Sequence, residues 1–518
     1  MVLQKDMLVS LWGWGAAGDL ISITANWGAT ANATVGLDGK WTAKIQTPIA
    51  VPGQAPQYTL TFKGSSNTIT LNNILIGDVW VCSGQSNMEL TVASAANSTV
   101  EIAAANYPNI RLLHIGSNAV PTLQNDLLSG TWELCSPSTI AGFTAIGYYF
   151  GRELAIDPTI NIPIGLIEAA VGSSTCEAWM KNETLGADPV LKTNYIDPYL
   201  ANPTAVLNVK SPSWLYNGML APLIPYSIMG AIWYQGEANA PKYSTYTQLC
   251  GTLIKDWRTL WGLGDFPFYY VQLPAYNHSQ FPQLREAQTN LLTIKNTGMA
   301  VTLDVGELTN VHPVNKQTPG KRLALWAKAK TYKQDIVYSG PIYKSSTSDN
   351  GKMTINYLPE TIGGGLISKD AAALNNFQIA GADNVFYTAN AIISGNTVVV
   401  SSPSVATPTK VWFAYSPDAQ PNLTNVEGLP ACPFRTDTWN STIVLATKDI
   451  FTSPNFLVIE GKTINTTESG TIQVYTMQGT KILEARSVCL LKTNLAKGLY
   501  IIRFTNKYGQ VSTKKVIL

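Results

Sequence analysis

From about residue 76 to residue 332 the chain alternates short apolar runs with amphipathic stretches, and this rhythm constrains the fold more than any other feature. Strands are expected at 78–82, 110–115, 163–168, 228–234, 267–273 and 298–304. Helices are expected at 145–156, 243–260, 284–294 and 320–332. Strands separated by helices must cross over and return in the same direction, so the expectation is an α/β fold with a doubly wound parallel sheet. Reactive residues in such a sheet gather where the strands end. Ser86, Gly172, Gln235 and the stretch leading to His312 each follow one of these ends.

The flanks follow a different rule. Residues 1–75 carry short period-two runs such as Trp41-Thr42-Ala43-Lys44-Ile45, separated by turns such as Asp38-Gly39. That pattern predicts an antiparallel sandwich or jelly roll. A second β module is expected over 333–445, from runs that include Asp335–Tyr338, Met353–Tyr357, Thr397–Val400 and Lys410–Tyr415. A small β-sandwich is expected over 452–518.

Composition narrows the function classes. Charged residues are 13% of the chain, about half the usual share. The polar surface must then come from Thr, Ser, Asn and Gly, which suits a secreted, β-rich protein. A net charge of +2 gives no electrostatic reason to bind nucleic acid or an anionic membrane. No apolar run reaches the length of a membrane span. The six cysteines contain no CxxC pair, so a zinc site is not expected, and their pairing cannot be read from spacing. Fourteen Trp and 23 Tyr fit both sugar stacking and the packing of β-sandwiches.

The candidate chemistry centres on one turn. The apolar run Asp78–Cys82 enters Ser83-Gly84-Gln85-Ser86, and a helix start follows, with Asn87 and Glu89 in its first turn. A hydroxyl held at a strand end, with backbone N–H groups beside it, is what a serine nucleophile needs. Gly84-Gln85-Ser86 matches the first half of a nucleophile elbow, but Met88 stands where the second glycine would be. A bare Ser/Asn turn also closes many strands that carry no chemistry.

A serine needs a base, and the chain has three histidines. His114 sits in a strand pattern and reads as structural, while His278 lies in a polar loop. His312 lies in the loop after the last core strand, and Pro313 restrains its backbone, so it is the candidate base. Asp304 and Glu307 are both near enough in sequence to orient the ring.

The full phrase Gly77-Asp78-Val79-Trp80-Val81-Cys82-Ser83-Gly84-Gln85-Ser86-Asn87-Met88 resembles the signature of the sialate O-acetylesterase family, carbohydrate acetylesterases of the SGNH type. Further matching phrases are Pro163–Trp179, Leu215–Pro222, Ile232–Asn239, Val271–Pro274, Leu284–Gln288, Phe377–Asp383 and Gly428–Asp437. The loop Val311-His312-Pro313 resembles the family's base motif. The resemblance implies an SGNH-hydrolase-like sheet with flanking β-sandwich domains, no metal and no cofactor. It implies Ser86 as nucleophile, His312 as base, and an oxyanion hole of the Ser86 and Gly172 N–H groups with the Gln235 amide. The resemblance also allows a Ser–His dyad without an acid, and Glu237 reads either as a supporting acceptor or as a charge at a helix N-terminus. Two departures stand out: Thr309 is where SGNH enzymes often carry Asp, and Gly172-Ser173 replaces a common Gly-Gly. The implied activity is removal of O-acetyl groups from carbohydrate, with 9-O-acetylated sialic acid as first substrate. Acetylated xylan or xyloglucan is the alternative, and an inactive carbohydrate-binding protein of the same fold is a third.

Two expectations concern export. Met1–Asp6 resembles an internal family phrase that normally follows a short upstream segment, so an export signal is expected ahead of it. Residues 452–518 resemble a type A sorting domain of the type IX secretion system of Bacteroidota, through phrases such as Leu495-Ala496-Lys497-Gly498-Leu499-Tyr500. That resemblance implies a secreted or surface protein, with the secretion machinery as a partner of the tail.

Overall fold

A strand of 17 residues, Thr68–Gly84 (β1), is the spine of the molecule. The computed structural model describes residues 1–201, 208–437, 457–460, 462–476, 480–496, 498–506 and 511–517. They fall into two units, Met1–Ala446 and Thr447–Leu518.

In the first unit β1 is followed by β2 (Tyr107–His114), β3 (Trp132–Cys135), β4 (Ile164–Ala170), β5 (Gly230–Tyr234), β6 (Phe268–Val271) and β7 (Thr297–Ala300). Their order across the sheet is β7-β6-β5-β1-β4-β2-β3. All neighbours are parallel except β2 and β3. The chain first lays down β2 and β3 on one side and returns to insert β4 beside β1, then crosses to build β5, β6 and β7 outward on the other. The ends of β1, β4 and β5 are therefore the switch point, where α/β sheets open a crevice. The principal crossovers are α1 (Ala145–Ala155), α2 (Tyr243–Trp261) and α3 (Phe281–Asn290), and α4 (Gln317–Trp326) follows the last strand. Pro282 in the first turn of α3 needs no N–H partner there, so the helix starts three residues before the expected 284.

Central strands covered on both faces read as continuous apolar runs, and every residue of β4 and β5 is buried. Trp80 on β1 meets Phe150 edge-on at 5.0 Å and stacks on Tyr269 at 6.0 Å. Burying such a side chain contributes roughly 2–3 kcal/mol. Asp78, wholly buried in β1, accepts from Gln4 Nε2 (2.7 Å), Tyr332 Oη (2.8 Å) and Lys5. This pins the strand at the entrance to the sheet.

The expected strand 78–82 is only the last third of β1. Residues 68–74 are paired antiparallel with Tyr58–Lys63, inside the N-terminal β region. Residues 78–84 then pair in parallel with β4. The same strand thus leaves one sheet and enters another.

The region after α4 forms two four-stranded antiparallel sheets around Ile355, Val398, Ile379, Val411 and Phe413. The expected strand at Asp335–Tyr338 is an irregular connector instead. Its Tyr338 packs edge-on against Trp326 at 4.6 Å, so ring packing occupies the residue rather than a ladder. Cys82, Cys135, Cys176, Cys250 and Cys432 are buried free thiols. The second unit is an antiparallel sheet of Leu457–Glu460, Thr463–Thr476, Lys481–Lys492, Leu499–Asn506 and Val511–Ile517. Ile464, Ile472, Val474, Ile502 and Phe504 are its buried side chains. Among the described residues no helix is long and apolar enough to cross a membrane.

Candidate active site

Gly84 ends β1 with φ near +141°, and a Cβ there would lie 2.1 Å from the Tyr234 carbonyl oxygen on β5. Only glycine fits that approach. The chain then turns into a single helical turn, Ser86–Glu89. Met88, in place of the elbow's second glycine, is fully buried, and its carbonyl accepts from Thr144 Oγ1 at 2.6 Å. Ser86 is left half-buried at the tip.

His312 Nε2 lies 2.8 Å from Ser86 Oγ. The two are 226 residues apart in sequence; Ser86 follows the central strand β1, and the long loop after the edge strand β7 carries His312 back across the strand ends to meet it. The loop holding His312 is braced by its own polar groups. Asn310 Oδ1 accepts from the His312 N–H (3.0 Å), and Asn310 Nδ2 donates to Glu307 Oε2 (2.9 Å). Glu307 Oε1 also accepts from the Val314 N–H (2.8 Å).

Neither acid that the sequence put within reach orients the imidazole. Asp304 is held by Arg322 in a two-pronged pair at 2.6 and 2.7 Å. Glu307 is occupied by Asn310 and the Val314 amide. Among the described residues no carboxylate hydrogen-bonds to His312.

A buried lysine stands in this region, Lys316, which continues the His-Pro phrase in the sequence but has no role assigned from it. Lys316 Nζ donates to Asn87 Oδ1 and lies over the Tyr234 ring at 5.4 Å. Asn87 Nδ2 donates to Glu237 Oε1 and to the Val311 carbonyl at 2.9 Å. Asn87 therefore ties the Ser86 turn to the residue preceding His312. Burial pulls the Lys316 ammonium down to about 8, against Glu237 and Glu307, which favour its charge. Burial raises the Glu237 carboxyl. Burial, then the nearby Lys316 charge, lowers the His312 imidazole below its ordinary value. A neutral imidazole can accept a proton from Ser86. The available signal was a lysine one turn past His-Pro, at the start of α4.

Gly172 follows β4 and abuts the turn. A Cβ built there would lie 3.7 Å from Ser86 Cβ and 2.8 Å from a Glu89 carboxylate oxygen. Among the described residues the Ser86 and Gly172 N–H groups donate to no protein acceptor. Ser173, next in line, is held at φ +62°, a left-handed conformation that glycine adopts more readily.

Gln235 is fully buried beneath the turn. Its amide nitrogen faces Asn239 Oδ1 (2.6 Å), Gln85 Oε1 (3.2 Å) and the Ser174 carbonyl (3.4 Å), while Tyr246 Oη donates to its oxygen (2.9 Å). In this structure its amide hydrogens are shared among protein acceptors, and it steadies Gln85, the residue before Ser86. Asn239 is in turn held by Glu177 at 2.9 Å. His114, expected to be packed, is more than half exposed and pairs with buried Glu168 at 3.0 Å. His278 lies against the Phe281 ring, with centroids 5.0 Å apart. Among the described residues no cluster of three or more His, Cys, Asp or Glu is placed to hold a metal.

A hydroxyl on a neutral imidazole, beside two free N–H groups, can carry out acyl transfer. Comparison with known proteins agrees. The family model for a sialic acid-specific acetylesterase (carbohydrate esterase) matches residues 76–325. Sialate O-acetylesterases of Homo sapiens and Pongo abelii are each 30% identical over 386 residues, covering 66% of this chain and 71% of theirs. The crystal structure of a carbohydrate acetylesterase from Xanthomonas citri superposes with a TM-score of 0.76 at 34% identity, covering 85% of this chain and 97% of that one. The match spans the strand ends that bring Ser86, Gly172 and His312 together, and on it the chain belongs to the sialate O-acetylesterase family, carboxylic ester hydrolases that act on acetylated carbohydrate.

Proposed function

We propose that Ser86 is the nucleophile of a carbohydrate O-acetylesterase, working as a pair with His312. The 2.8 Å contact between Ser86 Oγ and His312 Nε2 carries this reading. His312 takes the hydroxyl proton as Ser86 attacks the acetyl carbonyl. The tetrahedral oxyanion is received by the Ser86 and Gly172 N–H groups. Gln235 joins as third donor by releasing the longer of its contacts, to Gln85 or Ser174. His312 then protonates the departing sugar hydroxyl, and water resolves the acetyl-enzyme by the same path in reverse. Glu237 supports the site through Asn87, and Glu307 through the His312 loop. The catalytic module is 76–332, set between β modules 1–75 and 333–445.

The first substrate is 9-O-acetylated sialic acid, on the strength of the family. Two observations favour a second reading, a neutral acetylated sugar of the xylan or xyloglucan kind. Of the two candidate partners for a sialic acid carboxylate, Arg285 is fully buried and donates to the Pro274 and Ser416 carbonyls, and Arg435 is already paired with Glu286 at 3.0 Å. Glu89 sets a carboxylate against Gly172, which disfavours an anionic group close by. The test is acetate release by wild type and Ser86→Ala on 9-O-acetylated sialic acid and on acetylated xylo-oligosaccharide. Loss of about a thousandfold or more in kcat in the variant is expected, and the preferred substrate decides between the readings. Undiminished release by Ser86→Ala would remove the nucleophile.

Residues 452–518 are an address for type IX secretion, and the mature protein works outside the cell or at its surface. A fluorescent protein fused to this segment, with an export signal, should reach the medium or surface of a type IX-competent cell. Retention in the periplasm would reject the assignment.

A further inference from the structure

A second cleft lies against the helices that follow β5 and β6. It is walled by the start of α2, by α3 along its length from Pro282 to Asn290, and by the sheet containing Lys410–Phe413 and Phe434–Arg435. Its volume is about 560 Å³, within the usual range of small-molecule sites. The residues that give it character are Tyr243, Glu286, Asn290, Trp412, Tyr415 and Arg435.

These side chains form a preset amphipathic surface. Arg435 pairs with Glu286 at 3.0 Å and lies over the rings of Tyr415 (4.5 Å) and Trp412 (5.4 Å). Tyr415 Oη donates to Glu286 Oε2 at 3.0 Å. Trp412 is backed by Phe386, its ring stacked at 3.9 Å, and its indole N–H is fixed on Asp437 at 2.9 Å. Rings and planar polar groups are thus locked before any ligand arrives, which lowers the ordering cost of binding. The one acid and one base among the six cancel each other, so the cleft favours a neutral ligand. The side-chain amide of Asn290 and the hydroxyl of Tyr243 make no hydrogen bond to the protein among the described residues. All six side chains are partly exposed. Aromatic walls suit the C–H faces of sugar rings, and carboxylate, guanidinium and amide edges suit their hydroxyls.

We propose that this cleft is a carbohydrate subsite that holds the unacetylated part of a neutral oligosaccharide while an acetylated residue is processed at Ser86. The link to turnover rests on the esterase reading above; binding itself does not. Two measurements keep them apart. The first is calorimetric titration of Ser86→Ala protein with deacetylated xylo-oligosaccharide, and of the same protein carrying Trp412→Ala or Asn290→Ala. Binding is expected in the parent, with affinity at least tenfold weaker with Trp412→Ala and several-fold weaker with Asn290→Ala. The polar Asn290 variant decides the matter if Trp412→Ala lowers the melting temperature. The second is steady-state kinetics of wild type and Asn290→Ala on acetylated xylo-oligosaccharide and p-nitrophenyl acetate. KM should rise on the oligosaccharide alone, with turnover of the small ester unchanged. No binding by the parent, binding untouched by both variants, or tighter binding of free sialic acid would overturn the subsite. An inactive wild type that still binds through Trp412 and Asn290 would overturn the esterase reading and leave the subsite standing.

Discussion

At the residue scale, the site depends on keeping one imidazole neutral, and a buried cation does part of that. The groups facing Lys316 are Asn87, Glu237, Glu307, the Tyr234 ring and, through space, His312. Since only neutral His312 can take the serine proton, lowering its pKa extends activity to lower pH. Lys316→Met removes the positive charge, so the His312 pKa should rise and the acid limb of the kcat/KM profile should move to higher pH. A limb that stays in place would show that Lys316 serves packing alone. The same lysine has a signature in stability. Its folded-state pKa of about 8 lies below its ordinary 10.5, so between those values the unfolded chain holds more protons than the folded one. Stability from this group should therefore rise with pH across that window, and the rise should vanish in Lys316→Met. Denaturant melts at pH values spanning it would measure this. The relation between Lys316 and His312 was legible only in part: a lysine one turn past His-Pro signals proximity, but nothing in its neighbours along the chain says that tertiary packing will bury it.

At the element scale, the strand and helix rhythm placed Ser86, Gly172, Gln235 and His312 at strand ends, where the fold indeed sets them. The orienting acid was less legible. Sequence proximity offered Asp304 and Glu307, but proximity along a loop says nothing about direction. Asp304 turns to Arg322 and fastens α4 to the end of β7. Asp304→Asn should therefore cost about 2 kcal/mol of stability and change kcat little. An orienting acid would instead cost about 10⁴ in kcat, so kinetics beside a thermal melt separates the two roles. Strand limits failed for a related reason. The exposed, polar-rich stretch at 68–74 belongs to the antiparallel sheet and the buried run from Asp78 to the parallel one, so the change of pattern read as a boundary rather than one strand changing partners.

At the scale of the whole molecule, the chain splits into Met1–Ala446 and Thr447–Leu518, and every residue assigned to catalysis lies in the first. A chain ended at Ala446 should keep full kcat/KM on small and oligosaccharide substrates. A loss on either would give the tail a part in catalysis. No such cut is available at the other end. β1 carries the N-terminal β region on its first half and the Ser86 turn on its second. The N-terminal region is therefore no detachable cassette. A crossover between genes near residue 75 would change the pairing edge of the very strand that sets Ser86, so the front of this enzyme has to be inherited whole.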